Sequence, residues 1–169
     1  MTVVTLVSFV GSSRPGLLKD LAEQCHQLGA RWLNSKVSYL GGQIAALIRV
    51  EMPEEKSVQL ESVFRGCGCI NVRFSEVQEE KRQQRSQLKL SVDAEDRPGI
   101  VNELTQLFDR QGVELVDLES HRMGVVELGG NVFTAGITLN LPPEITQEQL
   151  VTEIESIAGD LVVRDAVPA

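Results

Sequence analysis

The sequence has no run of about 18 apolar residues, the length that a membrane-spanning helix needs. At its start it also lacks the basic residues that precede the apolar stretch of a secretory signal. We therefore expect a cytoplasmic protein with no membrane contact.

Cysteine is scarce in this chain. Cys25, Cys67 and Cys69 make an odd number in a sequence with no export signal, so a disulfide framework is not expected. Cys67 and Cys69 would supply only two of the four ligands that zinc requires, and His26 and His121 lie in different halves of the chain without ligand spacing around them. We predict no metal centre and no cofactor, and we interpret the cysteines as packing residues.

Catalytic signatures are absent as well. The sequence contains no Gly-x-Ser-x-Gly elbow, no phosphate-binding loop ending in Lys-Ser or Lys-Thr, and no dinucleotide fingerprint. We therefore predict that the protein is not an enzyme. The remaining enzymatic hypothesis is a reactive thiol at Cys67 or Cys69, which would require a depressed thiol pKa.

Clustered positive charge is nearly absent. The formal net charge is −8, and it is uneven: residues 1–86 carry 11 Lys+Arg against 9 Asp+Glu, whereas residues 87–169 carry 5 against 15. The one basic cluster lies at 81–85, in a mixed-charge stretch that is typical of a solvated linker. Because binding to a nucleic-acid backbone depends on clustered Lys and Arg, we predict no direct nucleic-acid contact.

The sequence does contain an internal repeat. Arg-Pro-Gly at 14–16 returns at 97–99, an offset of 83 positions, and Gly29 returns as Gly112. Leu-Gly-Gly at 40–42 then matches Leu-Gly-Gly at 128–130, so the register slips through an insertion near residues 122–127. We infer a first domain at 1–79, a charged linker at 80–86 and a second domain at 87–169.

Both copies carry the same order of predicted elements. β-Branched and alternating apolar residues predict strands, and apolar residues at three- and four-residue spacing predict helices. Pro15 suits the first position of the first helix and Gly29 suits its end. In the first copy we predict strands at 3–10, 32–39, 44–51 and 70–74, and a second helix at about 55–65. In the second copy we predict strands near 88–92, 115–121, 132–139 and 161–164, and helices at 100–108 and about 146–158.

The resulting βαββαβ order predicts an α+β fold made of two ferredoxin-like modules in tandem. Each module is an antiparallel sheet with both helices on one face, because right-handed crossovers return the chain to the same side of the sheet.

The turn from first strand to first helix is the strongest candidate site in each copy. A helix N-terminus offers unpaired N–H groups and a partial positive charge, and Gly16 and Gly99 would let a ligand approach the backbone closely. The carboxylate of a small amino acid fits that chemistry. Because Pro-Gly is also ordinary turn chemistry, it is the repetition of the tripeptide that favours a functional role.

The neighbouring polar residues extend this candidate site. Arg14 and Arg97 are placed to hold an anion, although an arginine beside a turn is more often solvated. Ser13 and Asp96 occupy the same position in the two copies. They would either cap the helix or face a ligand's ammonium or hydroxyl group, and capping is the favoured role.

The element order, the Arg-Pro-Gly turn and the glycine that ends the first helix resemble the ACT domain, a regulatory amino-acid-binding module. More narrowly, the tandem arrangement and the segment Trp-Leu-Asn-Ser-Lys-Val-Ser-Tyr-Leu-Gly-Gly at 32–42 resemble the glycine cleavage system transcriptional repressors. The resemblance implies a pair of ACT domains that responds to glycine or a similar amino acid and restrains a separate transcription activator by protein contact.

One position departs from the family's pattern. Many amino-acid-binding ACT domains have an Asn two residues after the helix-ending Gly, where this chain has Arg31 and Glu114. Asn34 and Asp117 lie three residues further along the same strands, facing away from the preceding Trp and Leu, and are the substitute candidates. The alternative function is a ligand-independent protein-interaction module or a regulator of a metabolic enzyme. The sequence leaves open whether two chains associate.

Overall fold

The computed structural model describes residues 1–77, 85–127 and 129–165. The chain divides into two compact units, residues 1–80 and 81–169, each with the element order βαββαβ. Most of the predicted linker at 80–86 lies outside the described residues, as does Leu128 of the second Leu-Gly-Gly.

The elements of the first unit are β1 (Thr2–Ser12), α1 (Leu17–Gln27), β2 (Arg31–Leu40), β3 (Gln43–Pro53), α2 (Ser57–Arg65) and β4 (Ile70–Glu76), with a 3-10 turn at Glu54–Lys56 before α2. Those of the second unit are β5 (Ser86–Glu95), α3 (Ile100–Arg110), β6 (Glu114–Val125), β7 (Gly130–Leu141), α4 (Gln147–Glu155) and β8 (Val162–Asp165).

Each unit is built on one four-stranded sheet. The strand order is β2-β3-β1-β4 in the first unit and β6-β7-β5-β8 in the second. All the paired strands run antiparallel. The predicted fold class, two ferredoxin-like modules in tandem, is confirmed.

The hydrophobic core of each unit lies on the helix-bearing face of its sheet. Strand β3 shows this directly, because Ile44, Ile48 and Val50 are buried whereas Leu47 and Arg49 are exposed. A strand in which every second residue is buried has one covered face and one open face. Both helices of a unit therefore share one face, as the crossover rule predicts.

The first helix begins later than the sequence indicates. Helix α1 starts at Leu17, and Pro15 lies in the preceding turn rather than at the first helical position. The reason is that Gly16 adopts a left-handed conformation with φ 78°, which interrupts the helical backbone ahead of Leu17.

The insertion in the second copy lengthens a hairpin. Strand β6 continues to Val125 and β7 starts at Gly130, both beyond the predicted limits of 115–121 and 132–139. The inserted residues are thus largely absorbed as extra strand pairs, and they leave the sheet order unchanged.

Among the described residues, the longest helices have 11 residues, and no helix is long and apolar enough to cross a membrane.

Candidate functional site

The two Arg-Pro-Gly turns have the same backbone geometry. Gly16 has φ 78° and ψ −2°, and Gly99 has φ 89° and ψ −1°. Each glycine carbonyl accepts the first helical hydrogen bond, from Asp20 N at 2.9 Å in α1 and from Glu103 N at 2.9 Å in α3. The N–H groups at the start of each helix are therefore displayed beside a glycine, as an anion site requires.

The predicted capping role of Ser13 and Asp96 is wrong. The N-cap positions are Gly16 and Gly99, and no side chain of the described residues caps either helix. Because the left-handed glycine places Ser13 and Asp96 three residues ahead of the N-cap, both residues bond to the neighbouring hairpin instead.

Those hairpin contacts involve both backbone and side chains. Ser13 N donates to Gly42 O at 2.9 Å, and Asp96 N donates to Asn131 O at 2.9 Å. The Asp96 carboxylate also accepts a hydrogen bond from Arg122 Nε at 2.8 Å. Asp96 is thus held by the long hairpin of the second unit rather than directed at the helix.

The motif arginines are already paired with carboxylates of their own helices. Arg14 Nη1 lies 3.0 Å from Asp20 Oδ2, and Arg97 donates to both carboxylate oxygens of Glu103, at 2.8 and 2.6 Å. Asp20 and Glu103 are related by the same offset of 83 positions as the turns. Their role could have been read from the sequence by extending the repeat alignment four residues into each helix.

These carboxylates also border the glycines. A Cβ placed on Gly16 would lie 3.9 Å from Asp20 Oδ1, and one on Gly99 would lie 4.0 Å from Glu103 Oε1. A ligand carboxylate that approached either turn would therefore meet an internal carboxylate competing for the same guanidinium group.

The ion pair in the second unit has two hydrogen bonds, whereas the ion pair in the first unit has one. The hydrogen bonds from Arg97 hold the pKa of Glu103 below its usual range, and Glu103 in turn raises the pKa of Arg97. In the first unit, the pKa of Arg14 is raised chiefly by its hydrogen bond to Asp20. Each arginine is thus a positioned cation whose partner a competing anion would have to displace.

Asn34 and Asp117 lie far from the turns of their own units. In the first sheet, Asn34 of β2 lies opposite Arg49 of β3, which in turn lies opposite Leu6 of β1. Leu6 is six residues before Ser12, where β1 ends. At about 3.3 Å per residue, that separation is about 20 Å along the strand. Asp117 has the equivalent position in the second sheet, because it lies opposite Thr138 of β7, which lies opposite Lys89 of β5. Neither residue shares a site with the turn of its own unit.

Asn34 and Asp117 face away from Trp32 and Leu115 because each strand has a β-bulge, whereas residues two apart on a regular strand would share one face. The register shifts between Trp32 and Asn34 in β2, and between Leu115 and Asp117 in β6. The extra residue turns Asn34 to the open face of the sheet, opposite Trp32, where its side-chain oxygen accepts a hydrogen bond from Arg49 at 3.4 Å.

The two residues that depart from the family pattern are engaged within their own sheets. Arg31 forms an ion pair with Glu51 on the neighbouring strand. Glu114 accepts a hydrogen bond from Asn140 Nδ2 at 2.9 Å and pairs with Arg85 at 3.4 Å.

The cysteines are free thiols. Cys25 is buried, whereas Cys67 and Cys69 are half-buried and pack against the first core. Burial raises the pKa of Cys67, so this thiol lacks the depressed pKa that the reactive-thiol hypothesis requires of it. Within the described part of the chain, no group of three or more metal-ligating side chains is placed to hold a metal ion.

The chain is similar in fold to two solved structures over nearly its whole length. One is an unknown protein from Galdieria sulphuraria, with a TM-score of 0.84 and 22% identity, covering 99% of this chain and 100% of that one. The other has been assigned only provisionally as a glycine cleavage system transcriptional repressor, with a TM-score of 0.68 and 16% identity, covering 98% of this chain and 99% of that one. No curated protein matches the chain.

Family models describe both units. One model of the ACT domain matches residues 4–68, and a second model of the ACT domain matches residues 89–159. Each match includes one Arg-Pro-Gly turn and the helix that follows it. The chain therefore belongs to the ACT-domain family, with one ACT domain in each of its two units.

Proposed function

We propose that this protein is an amino-acid-responsive regulator whose ligand is a small amino acid such as glycine. The observation that carries the proposal is the repeated helix start, in which a left-handed glycine precedes the helix and a motif arginine lies beside it. The ACT domain is a module of amino-acid-responsive regulation, and membership of that family supports the same assignment.

The turn of the first unit is the better ligand site. Arg14 makes one hydrogen bond to Asp20, at 3.0 Å, whereas Arg97 makes two shorter ones to Glu103. The negative charge of Asp160 also acts on Arg97. An incoming carboxylate thus meets less competition and less repulsion at Arg14 than at Arg97.

Binding at this turn would exchange one carboxylate for another. The carboxylate of the amino acid would accept hydrogen bonds from the start of α1 and take over the guanidinium of Arg14, which releases Asp20. The released Asp20 changes the charge pattern on the first turn of α1. A ligand that binds more tightly when the Arg14–Asp20 ion pair is open shifts the protein toward this open state. A partner that contacts the surface of α1 can then distinguish the open state from the paired one.

Thermal unfolding followed by Trp32 fluorescence tests the proposal. Trp32 is the only tryptophan of the chain and packs against the core of the first unit, so its signal reports the unit that holds the site. An amino acid at about ten times its Kd adds about 1.4 kcal/mol of stability. For a unit of this size that is a rise in Tm of roughly 6–11 °C.

Matched variants locate the site. We expect Arg14→Met to lose the response to glycine and Arg97→Met to retain it. Circular dichroism, which reports both units, is recorded in parallel, and a panel of all twenty amino acids that leaves the wild-type Tm unchanged by both signals would refute ligand binding. A response that Arg97→Met removes and Arg14→Met retains would place the ligand in the second unit instead.

The proposed mode of action is protein contact with a separate transcription activator rather than DNA binding. The second half of the chain has 15 acidic against 5 basic residues, which repels a phosphate backbone. The open face of the first sheet exposes Val10 at 50% and Leu47 at 49%, an apolar surface suited to a protein partner. The test is capture of a purified activator of glycine cleavage genes by this protein with and without glycine, beside a mobility-shift assay on the cognate DNA alone. Retardation of free DNA by this protein alone would contradict the proposal.

A ligand-independent interaction module is the second candidate, and a regulator of a metabolic enzyme is one form of it. The observation that favours it is the engagement of Arg31 by Glu51 and of Glu114 by Asn140, at the positions where many amino-acid-binding ACT domains have an Asn. Capture of the same purified partner with equal affinity in the presence and absence of amino acid would favour this candidate.

A further inference from the structure

The loop before the last strand has the same turn in both units. In the first unit Ile70 N donates to Cys67 O at 3.2 Å, and in the second Leu161 N donates to Ala158 O at 3.1 Å. The second residue after the acceptor is Cys69 in the first unit and Asp160 in the second. Cys69 and Asp160 therefore occupy equivalent positions.

The side chain at this position acts electrostatically on the motif arginine in each unit, and in the second unit the Asp160 carboxylate also accepts a hydrogen bond from Glu95 N at 2.6 Å. The charge of Asp160 raises the pKa of Arg97, and Cys69 adds to the effect of Asp20 in raising the pKa of Arg14. The second unit thus places a permanent carboxylate near its arginine. The first unit places at the same point a sulfur that becomes negative only when it loses its proton.

The backbone of Cys69 is fixed against β1. Ser12 N donates to Cys69 O at 2.9 Å, and a Cβ on Gly11 would lie only 2.1 Å from that same oxygen. The close approach requires glycine at position 11. This contact holds the backbone of the turn at the end of β1, two residues before Arg14.

A second thiol lies in the same turn. Cys67 and Cys69 line an open groove of about 490 Å³ together with Arg14, Gln24 and Ser62. The Cα atoms of residues two apart are separated by at most about 7 Å, and a turn shortens that distance into the range of about 4.4–6.8 Å that a disulfide needs.

The surroundings of Cys67 favour its protonated form. Burial raises the pKa of Cys67, the negative charges of Cys69 and Asp20 raise it further, and Arg14 offsets part of the rise. Cys67 therefore stays protonated at the start of the exchange. Arg14 lines the groove with both sulfurs, and a carboxylate of a reagent can displace Asp20 from its guanidinium.

We propose that Cys67 and Cys69 form a thiol–disulfide exchange site for low-molecular-weight disulfides that carry carboxylates, with Cys69 as the attacking thiol and Cys67 as the resolving thiol. This proposal does not rest on the amino-acid-binding function proposed above.

The exchange balances in two steps. The thiolate of Cys69 attacks one sulfur of glutathione disulfide, the S–S bond of the reagent breaks, and one glutathione thiolate leaves. Cys67 then loses its proton to solvent and attacks the sulfur of Cys69, which releases the second glutathione. Two protein thiols are oxidised to one disulfide, and one glutathione disulfide is reduced to two molecules of glutathione.

The test is the reaction of the reduced full-length chain with glutathione disulfide, quenched with acid and followed by intact mass and peptide mapping. We expect the wild type to pass through a chain with one glutathionyl group and to end two hydrogens lighter, with the new bond between Cys67 and Cys69. Cys25 is 1% exposed and serves as the internal control, expected to stay unmodified.

Two cysteine variants separate the roles. Cys67→Ser should accumulate the mixed disulfide at Cys69, because no resolving thiol is present. Cys69→Ser should react several-fold more slowly than the wild type. A Cys69→Ser chain that reacts at the wild-type rate would overturn the assignment of the attacking thiol, and a wild type that stops at the mixed disulfide would overturn the resolving role of Cys67.

The arginine variant tests the electrostatic argument. Loss of the guanidinium removes the group of the groove that binds a carboxylate of the reagent. We therefore expect Arg14→Met to slow the first step by about threefold. Arg73→Met, which removes an exposed arginine from β4, should leave the rate unchanged. Equal rates for the two arginine variants would overturn the role of Arg14.

Discussion

Replacing Gly16 by alanine tests whether the start of α1 requires a residue that tolerates the left-handed conformation. Gly16 has φ 78°, and the nearest atom to an added Cβ is Asp20 Oδ1 at 3.9 Å. The methyl group would therefore meet no clash, and the whole effect of Gly16→Ala comes from the backbone. A left-handed conformation costs an L-residue about 1–2 kcal/mol.

The unfolded chain offsets part of that cost. Alanine has fewer accessible unfolded conformations than glycine, which stabilises the folded state by about 0.4–1 kcal/mol. The net expectation for Gly16→Ala is a loss of about 1 kcal/mol, or a fall in Tm of about 4–8 °C for a unit of this size.

Gly68 provides the matched control for this substitution. It lies in a turn of the same unit, its φ is not positive, and no described atom lies within 4 Å of an added Cβ. Gly68→Ala should therefore leave the Tm unchanged or raise it. Thermal unfolding followed by Trp32 fluorescence compares the two variants in the same unit. A Gly16→Ala chain as stable as Gly68→Ala would refute the argument from the left-handed backbone.

Three further substitutions probe the core, the second ion pair and a helix start. Phe64→Ala removes a fully buried ring from the first core and should cost about 3–5 kcal/mol, read as a large fall in the Tm reported by Trp32; a change below 1 kcal/mol would contradict the described packing. Because Arg97 lowers the folded-state pKa of Glu103, the pair contributes stability above the unfolded pKa of about 4.3, and that stability is lost as pH falls through the folded pKa. Urea midpoints from circular dichroism should therefore fall less steeply with acid in Glu103→Gln than in the wild type, and parallel curves would argue against the pair. Thr146→Ala removes a capping box and should destabilise α4 by about 1 kcal/mol, measured by hydrogen exchange of that helix, whereas Thr146→Ser should restore the wild-type protection.

The fold was predictable because each copy repeats a local pattern with a physical cause. Apolar residues alternate with polar ones at 70–74 and 88–92, which predicts strands, and these segments lie in β4 and β5. Two consecutive glycines at 41–42 adopt positive φ in the hairpin turn that the sequence predicts there. The second copy predicts the same elements in the same order, and this agreement supports the prediction made from the first copy.

The errors at the candidate site have one cause. Pro15 was expected to start the first helix and Ser13 to cap it, because both are common in those positions. The left-handed Gly16 takes the N-cap position instead and directs Ser13 to Gly42 on the neighbouring hairpin. Residue preferences describe average helix starts, and this start is set by one backbone conformation.

The sequence by itself determined the repeat, the two ferredoxin-like modules and the pair of Arg-Pro-Gly turns, because turn glycines, apolar spacing and strand alternation are local properties. Only the tertiary structure decided which groups meet at those turns. Cys69 reaches Arg14 because β4 pairs with β1, which brings residues 55 positions apart to one end of the sheet. Asp20 and Glu103 could have been predicted to lie near the turns, because they are close to them in sequence. Their ion pairs with the motif arginines form because of the direction in which each helix leaves its left-handed glycine.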